Sequence, residues 1–470
     1  MFETNKTESM KFPQNKKIPL LFLVIISLFT MIRFDRPLIR GDGVAYLAWV
    51  DSFALDHDFD LSNQAERLRS VSDYAVVLNW HNGKYVNAFP FGIAFLQYPF
   101  YRMGDLFLKN NWLNVNPDYF RSMQGVELPY SLWAMIGNNF MVLCTIIFAW
   151  HVMSRYCSPW IAAFSAWGVF VGTPLFYYAT VSPLNSHAPG AFAAALMYYL
   201  GFGIYERLSN LGDNERKPVS KLSWVGMGLS AGLMVLTRWQ LALIAVPLWA
   251  LFLWRRQFSG LFYATLAGGI SLIPLPLVWN YLFDSPFVIP YDVMAGHSFL
   301  RFPVNAHNVL FYTFAHSPIL IISVIGVIKL WATKKELSLV LIVAFVLQIL
   351  INGAALDWDC GETYGLRRMS EMYFLYAFAT GIALNKWHGI TKFPHVMTLL
   401  VRLVFVSLLL YNAMYILAYF NYSWTNTVYH PYPTPSNIVG FFLQQSNRWD
   451  VIRAIFRTHL GPPAWTHPGP

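Results

Sequence analysis

Apolar stretches long enough, or nearly so, to cross roughly 30 Å of hydrocarbon recur along this chain, and they restrict its architecture before any single residue is weighed. Lipid offers no hydrogen bonds to backbone groups, so a crossing segment must be a helix or part of a closed barrel. Strand-like alternation is absent, which removes the outer-membrane barrel. With 56% of its 470 residues hydrophobic and 12% charged, the chain carries about half the charge of an ordinary soluble protein. The expectation is an all-α, polytopic integral membrane protein. Window hydrophobicity and flanking charge predict spans at 18–34, 130–153, 159–180, 188–205, 222–237, 240–254, 260–282, 317–333, 337–355, 372–385 and 394–420, about eleven helices with the N-terminus inside. A basic patch ahead of Leu20–Ile32 imitates a signal peptide, but no small-residue cleavage site follows, so the stretch reads as a retained first helix.

The formal charge of +9 has a membrane explanation rather than a nucleic-acid one, because no long basic run or basic domain carries it. Lys11, Lys16 and Lys17 precede the first apolar run. Arg207, Arg216, Lys217 and Lys221, then Arg255 and Arg256, then Lys329, Lys334 and Lys335, then Lys386 and Lys392 fall between later ones. The positive-inside rule makes these segments cytoplasmic. The segment 35–129, the stretches around Asn185-Ser186-His187 and Arg238, 284–317, 356–371 and the tail after Asn421 then face outward. Nearly all the unusual polar chemistry thus collects on the extracytoplasmic face. In the first outer loop, Tyr46, Trp49, Val50 and Phe53 stand at helical spacing against Asp51, Asp56 and His57, which predicts a helix lying in the headgroup plane. Phe89–Leu108 is apolar but interrupted by Pro90, Gly92, Pro99, Arg102, Gly104 and Asp105, and is expected to dip into the membrane without crossing. No internal repeat is visible, which counts against many transporter architectures. Cys144, Cys157 and Cys360 make neither a disulfide framework nor a zinc spacing.

Three outward features can carry chemistry. Asp42, in Arg40-Gly41-Asp42-Gly43, places a carboxylate just outside the first span at the start of a helical stretch. Asp is also favoured as an N-cap there, and the two roles are not exclusive. Arg238 stands between the apolar runs Leu229–Thr237 and Leu241–Trp249. An ionised group in that setting is costly unless paired or wetted, which makes it a functional candidate by default; the alternative is an Arg snorkelling to headgroups. The run Trp358 to Arg368 is the densest polar stretch between two spans, and Gly361 and Gly365 permit turns that aim Arg367 and Arg368 at a bound phosphate. Its alternative is a plain stop signal, which more often lies on the cytoplasmic side. Weaker candidates are Asp35, Asp58, Asp60, Asp284, Glu362 and Glu371, with His187, His297 and His316, all of which fit loop groups or caps. Of these, Asp58, His187, His297 and Glu362 are kept as candidates for substrate binding. Metal binding by Asp42 with a second carboxylate stays open, but no ligand spacing supports it, and no cofactor is expected. The proline-rich Tyr429–Pro435 predicts an extended outer tail.

These residues together resemble the GT-C superfamily of polytopic glycosyltransferases, the group containing protein O-mannosyltransferases and lipid A aminoarabinose transferases. Gly41-Asp42-Gly43-Val44-Ala45-Tyr46-Leu47, continuing through His57–Asn63, looks like its first outer-loop motif, and Phe89-Pro90-Phe91-Gly92 with Pro99-Phe100 is similar to a second element. Gly228-Leu229 through Leu236-Thr237-Arg238 looks like the helix that ends in a basic residue near the lipid phosphate, and Trp358–Arg367 resembles a loop ending in Gly-x-Arg. The likeness runs from about residue 18 to 385. It implies a GT-C-like catalytic membrane domain over 1–385, including outer loop 35–129, with 386–470 holding the last helix and an extracytoplasmic tail. It also implies Asp42 as the base, with Arg238 and Arg367 holding the donor phosphate and Arg368 beside them. Two departures stand out. Gly43 occupies a place where many relatives have a second acid, and Cys360 and Leu366 stand where Gly and Pro are common.

The function so implied is an inverting glycosyltransferase of the cytoplasmic (inner) membrane. It would move a sugar from a polyprenyl-phosphate donor to a glycan, lipid or protein acceptor on the outer face. The demands of that reaction match the residues. A leaving phosphate needs fixed positive charge rather than a proton, while the acceptor hydroxyl needs one carboxylate to take its proton. A hydrolytic glycosidase more usually has two facing carboxylates. The alternatives are an O-antigen ligase or polymerase-like enzyme, whose large outer loop usually comes late in the chain, and a transporter or lipid flippase, for which inverted repeats and mid-span acids are expected.

Overall fold

The computed structural model describes residues 16–35, 39, 42–67, 79–110, 112, 128–182, 184–209, 219–360, 364–387, 391 and 393–425. The expected tail after Thr425, Glu362 and Gly361 lie outside them. Helix α1 (Lys17–Phe34) is followed by α2 (Asp42–Asp51), which continues as a π-helical turn over Ser52–Asp56, and by the short α3 (Ser62–Arg67). An antiparallel hairpin, β1 (Asn79–His81) and β2 (Lys84–Val86), pairs Asn79 with Val86 and leads into α4 (Ile93–Lys109). Then come α5 (Leu128–Met153), α6 (Pro159–Val171), α7 (Pro174–Thr180), α8 (His187–Ser209) and α9 (Lys221–Thr237). A 3-10 turn at Trp239–Leu241 joins α9 to α10 (Ala242–Trp254), followed by α11 (Phe258–Ser271), α12 (Pro274–Phe283) and the short α13 (Pro290–Ala295). The chain continues through α14 (Ala306–His316), α15 (Leu320–Thr333), α16 (Lys335–Ala354), a 3-10 turn at Arg367–Met372, α17 (Tyr373–Leu384) and α18 (Pro394–Thr425).

Among the described residues six helices are long and apolar enough to cross a membrane, or up to eight if each bent pair is one span. The expected eleven are each found as helix, but not each as a straight span. The 159–180 stretch is α6 and α7, bent by 73°, and the 317–333 stretch is α15, met by α14 at 109°. Thr173-Pro174 and Ser317-Pro318 account for the breaks, since a residue before proline is pushed out of helical backbone. Helix α17 has 12 residues, about 18 Å of rise, too little to cross hydrocarbon. All of its residues are buried, so it is a core helix enclosed by its neighbours.

Two apolar cores build the molecule. The larger runs through α5 to α11 and α14 to α18, and the smaller joins α2, β2, α4 and α12. Membership of this second core changes the reading of the first outer loop. From Gly43 to Asp51 every residue of α2 is buried, Asp51 included. Of the expected solvated face Asp56 and His57 are exposed, but Asp51 is enclosed, and Tyr101 of α4 donates its hydroxyl to it at 2.8 Å. Helix α4 likewise buries Ile93, Ala94, Gln97, Tyr101, Gly104 and Asp105 on one side. Lys109 pairs with Asp105 at 2.9 Å and Tyr130 donates to the same carboxylate at 3.2 Å. The segment is a packed cap.

Polar residues gather at two ends. Helix α8, with 23 residues, is about 34 Å long. At its last turn Glu206 pairs with Arg155, and Ser209 accepts from Arg255, which also pairs with Glu336. Lys329 donates to the carbonyls of Asn385 and Lys386 at 2.8 and 3.0 Å, while Asn385 donates to Tyr156, over whose ring Lys334 lies. Arg255, Lys329, Lys334 and Lys386, read as cytoplasmic, thus share one end of the bundle. Ser186 and His187, at the start of α8, belong to the other.

Close approach between helices depends on small residues, because lipid supplies no hydrophobic drive for helix association. Gly228 and Gly232 of α9 face α11, where an added Cβ would stand 1.9 Å from the Ala264 oxygen and 2.7 Å from the Gly268 oxygen respectively. Backbone atoms cannot yield as a flexible side chain does. Gly228→Val is therefore expected to force α9 and α11 apart and lower stability by about 1–3 kcal/mol or more. Thermal unfolding in detergent measures it, and an unchanged midpoint would contradict this packing.

Candidate active site

The four motif segments that lie far apart in sequence meet around the first turn of α2. Asp42 opens that helix, and its Oδ2 lies 2.6 Å from Nη1 of Arg367. Arg367 is aimed by the turn before it. Gly365 has φ +61°, a left-handed conformation that glycine adopts without strain, and a Cβ there would meet Pro174 at 2.7 Å. Arg367 N then bonds the Gly365 carbonyl at 2.9 Å. Arg368 turns elsewhere, pairing with Asp357 and lying over the Phe299 ring at 5.8 Å. The expected arginine pair is therefore split, one facing Asp42 and one held by its own loop.

One turn beyond Asp42 on the same face of α2 is Tyr46. Its hydroxyl accepts from Ser186 Oγ at 2.7 Å, and Ser186 accepts from Arg238 Nη1 at 2.9 Å. Asp42 and Tyr46 thus lead to the two guanidinium groups from positions about 5–6 Å apart on one helix. Arg238 occupies the extended residue between α9 and the following 3-10 turn, with φ −159° and ψ 112°. The second motif helps to place it. Gly92 N donates to the Leu236 carbonyl at 2.9 Å, and a Cβ on Gly92 would fall 2.3 Å from Leu236 C. Phe-Pro-Phe-Gly and the Arg238 helix therefore contact each other backbone to backbone. Asn87 donates to the Ala45 carbonyl at 2.9 Å and Trp49 Nε1 to the Phe89 carbonyl at 2.8 Å, which ties α2 to the same segment.

Arg238 has its counter-ion in Glu371, four residues after Arg367 in the same 3-10 turn. Arg238 Nε lies 3.0 Å from Glu371 Oε1, and His187 Nδ1 lies 2.8 Å from the same oxygen. With its amide oxygen turned inward, Gln240 accepts from Arg238 Nε at 2.9 Å and Nη2 at 2.8 Å. Gly190 leaves room for this cluster, since a Cβ there would lie 3.1 Å from Glu371 Cγ and 3.5 Å from Arg238 Cδ. The Glu371 side chain is fully enclosed, whereas that of Asp42 is 29% exposed. Glu371 lies in the turn ahead of α17, outside the spans, and burial pushes its carboxyl up to about 7 against the pull of Arg238.

Aromatic rings wall the cluster. Phe89 meets Tyr46 edge-on at 5.3 Å, Tyr291 contacts Phe89 at 5.8 Å and Trp239 at 6.0 Å, and Phe299 stacks on Tyr291 at 4.8 Å. Among the described residues no group of three or more His, Cys, Asp and Glu side chains could hold a metal ion. Asp42's close partner is a cation rather than a second acid.

Of the substrate-binding candidates, His187 joins the cluster. Asp58 is an exposed loop acid whose carboxylate accepts from Ser52 Oγ at 3.0 Å and Asp60 N at 3.2 Å, which is a turn-forming role. His297 is exposed just after α13, with no hydrogen bond or ion pair to the cluster among the described residues. Glu362 lies outside those residues. Sequence reading rated Glu371 among the loop acids and gave no role to Tyr46, Ser186, Gln240 or Tyr291. The available signal was Glu371's place four residues after Arg367, on an adjacent turn of the same run.

No family model matches the chain, and no curated protein matches it by sequence. Among solved structures it is similar to the crystal structure of ArnT from Cupriavidus metallidurans bound to undecaprenyl phosphate, at 12% sequence identity and a TM-score of 0.49. The match covers 92% of this chain and 69% of that one.

Removing one partner of a buried ion pair strands the other, so Glu371→Ala is expected to destabilise the protein by about 3–5 kcal/mol. Glu371→Gln keeps the shape and costs less. Between about 4.5 and 7 the folded protein holds a proton on Glu371 that the unfolded chain has released, so this group's contribution to stability falls as pH rises through that window. Unfolding midpoints across pH should show the slope in wild type and a flatter profile in Glu371→Gln. An identical slope would contradict the assignment.

Proposed function

We propose that this protein is a membrane glycosyltransferase that moves a sugar from a polyprenyl-phosphate donor to an acceptor hydroxyl on the extracytoplasmic face, with inversion at the sugar carbon. The observation that carries this reading is the convergence of two cations on one turn of α2, where the partly exposed Asp42 pairs with Arg367 and Tyr46 is joined to Arg238 through Ser186. Arg367 and Arg238 supply fixed positive charge for the departing lipid phosphate. Asp42 accepts the proton of the attacking hydroxyl. The acceptor oxygen bonds to the anomeric carbon from the face opposite the phosphate, the bond to phosphate breaks, and the phosphate leaves with the electron pair.

Arg367 serves both partners in turn. A donor phosphate competes with Asp42 for its guanidinium, and a carboxylate released from that contact is free to meet the acceptor hydroxyl. Donor binding therefore prepares the base. Arg368, already paired with Asp357, acts in this reading by fixing the loop that carries Arg367. The acceptor is a glycan, a lipid or a protein side chain, approached along the aromatic wall.

Purified full-length protein incubated with a panel of polyprenyl-phosphate sugars should consume at least one of them. Asp42→Asn should lower transfer by about 10²–10⁴-fold with its unfolding midpoint unchanged, and Arg367→Gln by about 10²–10³-fold. Wild-type turnover in Asp42→Asn would overturn the role of the base, and a panel left intact would overturn the donor class. Sidedness has its own test in cells. A cysteine placed at the exposed Ser298 should react with an impermeant maleimide added outside, and one at Lys335 only after permeabilisation. The reverse pattern would put the site in the cytosol.

A further inference from the structure

A second cationic feature lies at the other end of the bundle, in the layer that holds Lys329 and Arg255. A cavity of about 170 Å³ is lined by Lys386, His395, Thr398, Leu399 and Arg402, with no carboxylate among the described residues of its walls. Its frame is built rather than loose. Lys329 grips the carbonyls of Asn385 and Lys386, with its ammonium 4.8 Å from the Trp387 ring centre. Arg402 Nε donates to the Leu384 carbonyl at 3.1 Å, and Trp387 N donates to Thr398 Oγ1 at 3.3 Å. The negative carbonyl end of α17 is thereby covered by two cations. The exposed Arg402 is fixed through Nε alone, and its Nη1 and Nη2 have no protein acceptor among the described residues.

The surroundings select the source of the anion. Helix α18 exposes Val396, Leu399, Leu400 and Leu403, between 51 and 59% of each, beside the cavity. A helix face of that kind at a predicted span packs against acyl chains. A guanidinium, an ammonium and an imidazole therefore stand where an apolar, lipid-facing helix meets its polar end. Basic pockets between helices at this level suit lipid phosphates.

We infer that this cavity binds the phosphate of an anionic lipid headgroup in the leaflet on the basic side of the protein, at the opposite end of α17 from the Arg367–Met372 turn of the Asp42 cluster. Each cation contributes, and the interaction weakens with salt where it is exposed. Transfer chemistry plays no part in it, so it stands or falls independently of the proposed reaction.

The test compares full-length protein in nanodiscs of phosphatidylcholine alone, phosphatidylcholine mixed with phosphatidylglycerol, and phosphatidylcholine with free inorganic phosphate. The unfolding midpoint is read in each. Phosphatidylglycerol should raise it by a few degrees in wild type and in Arg256→Gln, an exposed basic residue outside the cavity. Lys386→Gln, His395→Gln and Arg402→Gln combined should lose that rise while keeping the wild-type midpoint in phosphatidylcholine. Binding of labelled phosphatidylglycerol should weaken by on the order of tenfold or more in the triple variant. Should that variant unfold in phosphatidylcholine, Lys386→Gln with His395→Gln alone provides the same comparison. A rise that persists without these side chains overturns the site. An equal rise with inorganic phosphate alone overturns the lipid as its occupant.

Discussion

A guanidinium placed at the seam between two apolar helices has to be satisfied on every side, and Arg238 is held under that constraint. It cannot lose its charge in a protein, and leaving that charge unpaired within a helical bundle costs several kcal/mol. Its partners come from three places in the chain. Glu371 belongs to the turn before α17, Ser186 and His187 to the start of α8, and Gln240 to the residues just after Arg238 itself. Meeting the needs of one side chain thus determines how α8, α9 and the Arg367–Met372 turn come together. Gly190 and Gly92 supply the space for that meeting, one beside the ion pair and one against the backbone of α9.

The two carboxylates of the cluster divide the work according to exposure. Glu371 is enclosed and shares one oxygen between Arg238 and His187, so a passing substrate hydroxyl cannot reach it without dismantling the cluster. Asp42 is partly open and touches a single cation. Only a carboxylate of the second kind can act as a base on an external hydroxyl. Glu371 is better understood as the group that keeps Arg238 in place. Tyr46 and Ser186 then link that fixed cation to the helix carrying Asp42. The packed cap formed by α2, α4 and the β1–β2 hairpin serves the same end, because a carboxylate on a helix buried all round has a defined position.

Much of this was legible in the sequence, for reasons that can be named. Span positions follow from hydropathy, and Arg238 announces itself as an ion where no ion is cheap. The Trp358–Arg368 run is conspicuous between two apolar segments, and Asp42 sits between a span and a helical stretch. What was not legible depended on contacts between distant residues. Glu371 looks like any loop acid until Arg238 and His187 are seen around it. Tyr46 fitted an apolar stripe, so its hydroxyl was overlooked. Asp51 was given to water, yet Tyr101 lies beside it. Helix α17 is as apolar as a span but too short to be one, and only its enclosure by other helices shows why that is stable. The bends at Thr173-Pro174 and Ser317-Pro318 were visible as prolines, whose angles are set by packing that a window average does not see.

The two ion pairs at the site also differ in how readily they exchange partners. The pair of Asp42 with Arg367, whose side chains are 29% and 11% exposed, keeps some access to solvent and exchanges partners more readily than a fully enclosed pair. An incoming phosphate, with its bidentate fit to a guanidinium, displaces such a partner easily. Breaking the enclosed pair of Glu371 with Arg238 costs more. A donor lipid entering this site would therefore find one cation that holds still and one that can be won from its carboxylate. On the proposed reading, that difference couples the two halves of the reaction. The fixed guanidinium sets where the phosphate rests, and the exchangeable one passes from Asp42 to the phosphate, freeing the base when a sugar is in place to be transferred.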